Sequence, residues 1–188
     1  LKRDELDRGI NTKLKELKEG LKLRYDIDLI ESYDISHHAG KNAVAGCVVY
    51  SSKGKAKESY RSYNISKPNW GDDIGSMTEL IEKRFAGADS KKPPSLIIID
   101  GGKTHLNNAL KVFEENNISN VNIISISKGI RRKSSFDTIH LSNDKSIIVD
   151  RTSVFHKFVQ EIRDETHRFA ITIQKKKMRK TSIKSSLD

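Results

Sequence analysis

Three short blocks of this sequence set ionisable side chains beside elements able to hold them: Tyr33-Asp34-Ile35-Ser36-His37-His38, Ile98-Ile99-Asp100-Gly101-Gly102-Lys103 and Arg163-Asp164-Glu165-Thr166-His167-Arg168. The first two are apolar runs that arrive at an aspartate, and the third is a helical pattern carrying a histidine. Hard carboxylate oxygens suit Mg²⁺ or Mn²⁺, which polarise a phosphodiester and generate the attacking hydroxide. Asp34, Asp100 and His167 are therefore the candidate metal ligands. The glycine after Asp100 lets a backbone or a phosphate approach closely. On the last helix, His156, Gln160, Arg163 and His167 fall at i, i+4, i+7 and i+11 and share one stripe,. That stripe flanks the apolar face, so a side chain on it can point along the sheet toward the strand ends.

Several neighbouring signals have plainer readings. Gly101-Gly102-Lys103-Thr104 looks like the end of a Walker A loop, but that motif needs a glycine where Ile97 stands, which rejects a P-loop,. One cysteine and no His-x-x-x-His spacing argue against structural zinc, leaving His37 as a loop residue beside the site,. Asp72 or Asp73 caps the next helix, or Asp73 adds a fourth acidic group near the metal.

The elements that must position these residues follow from periodicity. Residues 3–21 place Leu6, Ile10, Leu14, Leu17 and Leu21 at helical spacing, predicting a connecting helix within a linker over 1–28,. Strands are expected at 29–35, 43–50 and 56–65, joined by short turns as an antiparallel meander. Pro68-Asn69-Trp70-Gly71 breaks that pattern. A helix carrying Ile74, Met77, Leu80, Ile81 and Phe85 follows, then the wholly apolar strand 95–100, typical of a central parallel strand,. A helix through Leu106, Ala109, Leu110 and Phe113, a strand at 121–126 and a hairpin around Asn143-Asp144 come next. The last helix is expected over 153–173, before a basic linker at 175–188. Alternating βα units after a meander predict a mixed five-stranded α/β sheet flanked by helices, with an extra small hairpin, over 29–174. The crossover can return the 97–100 strand beside the first and parallel to it. Adjacent strands lie ~4.8 Å apart, so Asp34 and Asp100 can then reach one cation, in a ribonuclease H-like arrangement.

The chain has 188 residues and a net charge of +10, which favours a polyanionic partner, usually nucleic acid,. Candidate phosphate contacts are Lys103 and Arg163 beside the carboxylates, Arg131, Arg132 and Lys133 on a basic loop, and Lys175, Lys176 and Lys177 in the tail,. The lone Cys47 excludes a disulfide framework and suits a reduced, cytoplasmic setting,. No apolar stretch approaches the ~20 residues of a membrane span, so no membrane partner is expected.

Five segments in register resemble the C-terminal endonuclease half of UvrC, the incision subunit of bacterial nucleotide excision repair. They are Glu31 to His37, Tyr60 to Ile65, Gly71-Asp72-Asp73, Ile99 to Lys103 and Arg163 to Ala170. The resemblance spans about residues 29–187. It implies a ribonuclease H-like endonuclease that cuts damaged double-stranded DNA on the 5′ side of a lesion, within a UvrB–DNA pre-incision complex reached through the full-length protein. It places the family's catalytic triad on Asp34, Asp100 and His167 and a further essential aspartate on Asp73. Ser186-Leu187-Asp188 matches the point before the family's helix-hairpin-helix pair, so the chain is expected to be a piece of a longer protein. Thr104-His105 stands where many members have Gly-Gln, and 128–141 follows the family pattern loosely. The alternative is a non-catalytic nucleic-acid-binding module on the same fold, whose signature would be loss of a triad ligand; all three are present. An actin-like phosphotransferase would need two nucleotide-gripping domains, for which 188 residues is short.

Overall fold

A computed structural model describes residues 2–86, 92–128, 136–150 and 152–187. Helix α1 (Lys2–Leu21) leads into β1 (Leu29–His38), β2 (Lys41–Ser51), β3 (Gly54–Lys55) and β4 (Arg61–Asn64). Then come α2 (Asp73–Phe85), β5 (Leu96–Asp100), α3 (Lys103–Glu115), β6 (Asn122–Lys128), β7 (Phe136–Leu141), β8 (Ser146–Asp150) and α4 (Val154–Leu187). Among the described residues the strands form a single sheet in the order β3-β2-β1-β5-β6-β7-β8, with β4 also paired to β2. Its central strands β1, β5 and β6 run parallel, and the remaining pairings are antiparallel. This is the expected mixed sheet. Of the strand expected at 56–65 only β4 forms, after a 3-10 turn at Lys57–Ser59, and the short β3 falls where the turn was expected to end. The terminal hairpin continues the sheet from β6 by antiparallel pairing.

Strand alternation gives the sheet two buried faces. One carries Ile30, Val48, Ile98 and Ile124 and is covered by α1 and α4; the other carries Tyr33, Cys47, Ile97 and Ile99 and is covered by α2 and α3. The stripe expected of a connecting helix is buried: Leu14, Leu17 and Leu21 pack on the α4 side, making α1 part of the packed body. On the α2 side, Glu31 and Arg84 form a pair in which both side chains are 1% exposed, with Arg84 Nη2 donating to Glu31 Oε1 at 2.6 Å. The Tyr33 hydroxyl also donates to Glu31, at 2.7 Å.

Two features set the position of α4. Gly46 pairs with Asp34 across the β1–β2 ladder. A Cβ built on Gly46 would lie 3.1 Å from the Ala170 Cβ, so the bare strand lets α4 pack close, three residues from His167,. The helix also does not stop at 173. It runs on to Leu187, taking the basic stretch expected to be a linker into the same helix. The reason is intrinsic: Gln, Lys, Met and Arg are strong helix formers, and no glycine or proline interrupts 154–187,.

Candidate active site

Asp34 and Asp100 occupy equivalent positions on adjacent parallel strands. The β1–β5 register runs from Ile30 with Leu96 to Tyr33 with Ile99, and each aspartate is the next residue. Tyr33 and Ile99 belong to the α2–α3 face, so the alternation turns both carboxylates to the face that carries α4,. Asp34 does not end its strand, as the sequence pattern suggested. β1 continues to His38 alongside β2, while β5 stops at Asp100. The carboxylates stand where the parallel pairing ends and the chains diverge.

Gly101 makes the turn after β5. Its φ is +148°, and its amide donates to the Ile126 carbonyl at 2.9 Å. A Cβ there would lie 2.5 Å from the His105 Cγ, so only glycine lets the first turn of α3 fold back on the strand end,. Asp72 takes the capping role for α2, accepting from the Gly75 amide at 2.9 Å. That leaves Asp73 free of capping, and it lines one cavity of about 240 Å³ together with Asp34, Ile35, Met77, Asp100, Gly101 and His105. His105 was read from sequence only as a departure from the family pattern. The signal that could have found it is its place in the first turn of a helix opened by Gly-Gly, directly after a candidate ligand.

Helix α4 supplies both remaining groups. His167 Nδ1 lies 2.9 Å from Asp34 Oδ2, and Arg163 Nη2 donates to Asp100 Oδ1 at 2.7 Å. The other two residues of the sequence stripe do not reach the carboxylates: His156 pairs with Asp137 in the core at 3.0 Å, and Gln160 bonds Asp164 at 2.8 Å. Burial raises the Asp34 pKa above its ordinary value. The hydrogen bond and charge of His167 pull it down, and the charge of Asp100 pushes it up,.

The candidate phosphate contacts divide. Arg163 is at the site, whereas Lys103 is drawn to the β7–β8 turn by Asp144 at 2.6 Å. Lys177 packs on the body, donating to the Ala43 carbonyl at 3.3 Å with its ammonium 5.6 Å from the Trp70 ring centroid. Lys175 and Lys176 are exposed on α4. Arg131, Arg132 and Lys133 lie outside the described residues. His37 is exposed at the end of β1, where its ring nitrogen accepts from the Gly40 amide.

The donor chemistry, three carboxylates and the His105 imidazole around one cavity with His167 against Asp34, fits a hard divalent cation,. Among the described residues, though, no three His, Cys, Asp or Glu side chains converge closely enough to hold one. The geometry gives the cause: both carboxylates are engaged by the protein's own nitrogen donors, Asp34 by His167 and Asp100 by Arg163.

Residues 18–171 match the family model described as the UvrC RNAse H endonuclease domain. The chain belongs to that family. It is 37% identical over 173 residues to the UvrABC system protein C of Hahella chejuensis, covering 90% of this chain and 28% of that protein. Against the protein of the same name from Legionella pneumophila (strain Paris) it is 34% identical over 181 residues, covering 95% of this chain and 29% of the relative. The chain thus spans less than a third of the length of these curated relatives. Among solved structures it is similar to human endonuclease V, with a TM-score of 0.43 and 12% identity over 67% of this chain and 64% of that one. It is similar also to Ciona intestinalis endonuclease V solved with a 23mer DNA containing an inosine, with a TM-score of 0.40 and 18% identity over 68% and 59% of the two chains. The UvrC resemblance read from five short segments is borne out, as is the ribonuclease H-like mixed sheet. No described helix is long and apolar enough to cross a membrane.

Proposed function

We propose that this chain is the hydrolytic unit that makes the 5′ incision in the damaged DNA strand during nucleotide excision repair. The observation that carries the reading is the register match of Asp34 and Asp100 on neighbouring parallel strands, opening on one cavity with Asp73. Asp34, Asp100 and His167 would hold Mg²⁺ or Mn²⁺, which supplies an activated water and charge compensation at the phosphate when bound. Asp73 faces the same cavity from α2 and adds negative charge opposite the strand ends, where it can orient a hydroxyl or water by accepting its proton in a hydrogen bond. Arg163 is the phosphate contact nearest the carboxylates, and the exposed basic residues of α4 extend that contact along the nucleic acid. Within the full-length protein, the UvrB–DNA complex would present the strand to this cavity.

A lesion-bearing duplex already nicked on the 3′ side isolates the 5′ cut. In the full-length protein, assembled with UvrB and supplied with Mg²⁺ or Mn²⁺, the wild type should cut this substrate. Asp34→Ala and Asp100→Ala should not, while retaining the wild-type circular dichroism spectrum. A well-folded Asp34→Ala protein that still makes the 5′ cut would overturn the assignment.

A further inference from the structure

Two carboxylates at matching positions on adjacent parallel strands repel, and each is relieved by a nitrogen of the chain itself,. Asp34 finds that relief in His167, whose Nδ1 lies 2.9 Å from Oδ2. Asp100 finds it in Arg163, reached from α4 across 63 positions of sequence. The Arg163 side chain is 13% exposed and lines, with Thr166, a narrow space beside Asp34 and Ile98 under the helix, whereas Asp100 is 38% exposed and lines the cavity. One partner is held in the body while the other is open to solvent ions. Among the described residues a single hydrogen bond joins them, through Nη2 and Oδ1, so the pair is not the two-pronged clamp that arginine and a carboxylate can make,.

We propose that Arg163 and a divalent cation compete for Asp100: the guanidinium holds the carboxylate in place until the cation takes it, and then swings clear with its donors available for phosphate. The inference rests on the nuclease reading and goes beyond it, making Arg163 a positioning residue whose presence weakens metal binding. Loss of positive charge alone would tighten binding in Arg163→Gln but not in Arg163→Lys, so the lysine variant separates competition for the carboxylate from simple charge.

The test is Mn²⁺ binding by calorimetry, without nucleic acid, to the wild type, Arg163→Gln, Arg163→Lys and Asp100→Asn. Arg163→Gln should bind Mn²⁺ roughly tenfold more tightly, within the range over which linked sites usually couple. Arg163→Lys keeps a charge near the site but loses the planar fork, and it should tighten binding by a smaller factor. It carries the test if the glutamine variant fails to fold. Asp100→Asn should abolish the binding. Equal or weaker affinity in the arginine variants, with binding still dependent on Asp100, overturns the competition and leaves the metal site standing. Binding that survives Asp100→Asn removes both.

Discussion

Arg84→Met would leave Glu31 charged in the core beneath the site. The pair has both side chains 1% exposed, and the guanidinium of Arg84 reaches Glu31 through Nε at 3.0–3.1 Å and Nη2 at 2.6 Å. Removing one partner of a buried pair costs about 3–5 kcal/mol, because the other charge stays desolvated. Here the lower end applies. Glu31 keeps the Tyr33 hydroxyl at 2.7 Å and a long contact to Arg61 at 3.4 Å, and the Arg61 side chain is 27% exposed. A loss of about 3 kcal/mol lowers the melting temperature of a domain this size by roughly 6–12 °C. Urea denaturation followed by circular dichroism at neutral pH measures the same loss as a shift of midpoint with unchanged slope. Adding Glu31→Gln removes the stranded charge, so the double variant should be more stable than Arg84→Met alone. The exposed pair of Lys111 and Glu115, at 3.9 Å, is the control, and breaking it should cost no more than about 0.5 kcal/mol,. An Arg84→Met protein within about 1 kcal/mol of the wild type would refute the reasoning.

Burial raises the Asp34 pKa, so the folded protein holds that proton more tightly than the unfolded chain, and ionisation costs stability as pH climbs from 3.8 through the folded pKa and stays lost above it,. Metal-free Asp34→Asn should therefore melt higher than the wild type at neutral pH and lose that advantage in strong acid; a lower melting point at neutral pH would contradict this. Glu79 moves the other way: burial alone would raise it, but hydrogen bonds from Lys83, Asn69 and Ser66 outweigh this and bring it from 4.5 to about 2. Its contribution is complete above 4.5 and fades as pH falls toward 2, so Glu79→Gln should flatten the pH dependence of melting across that window, and an unchanged acid limb would count against it,. For nucleic acid, alanine at Lys175 and at Lys176 should each lower the slope of log affinity against log salt by up to ~0.9. Anisotropy titrations over a salt series read this, and weaker binding at an unchanged slope would take these lysines off the phosphates.

Asp100 was legible because a short apolar run ending in a carboxylate, followed by glycine, has few structural solutions. His167 was legible because helical phase fixed its side of α4. Phase alone could not separate the four members of that stripe, however. His156 and His167 have the same residue type and flank, yet one closes on Asp137 in the core and the other on Asp34 at the site. Position along the helix relative to the sheet decides that, and it depends on how closely Gly46 lets α4 approach. The contact of Arg163 with Asp100 and the capture of Lys103 by Asp144 are side-chain choices between elements far apart in sequence, which no local pattern encodes. The length of α4 was underestimated because a run of lysines is read as solvated chain, although the same residues extend a helix already nucleated by packing.

That continuity gives α4 a mechanical character. From His167 to Leu187 it advances about 30 Å at ~1.5 Å per residue,. A partner or phosphate engaged near Leu187 would thus be joined to the candidate site by a rod of set length and direction, rather than by a tether that samples a sphere. One helical residue inserted after Gln174 would turn the far grip by about 100° about the axis while advancing it only ~1.5 Å, so the helix specifies which way its distal end faces more sharply than how far away it lies.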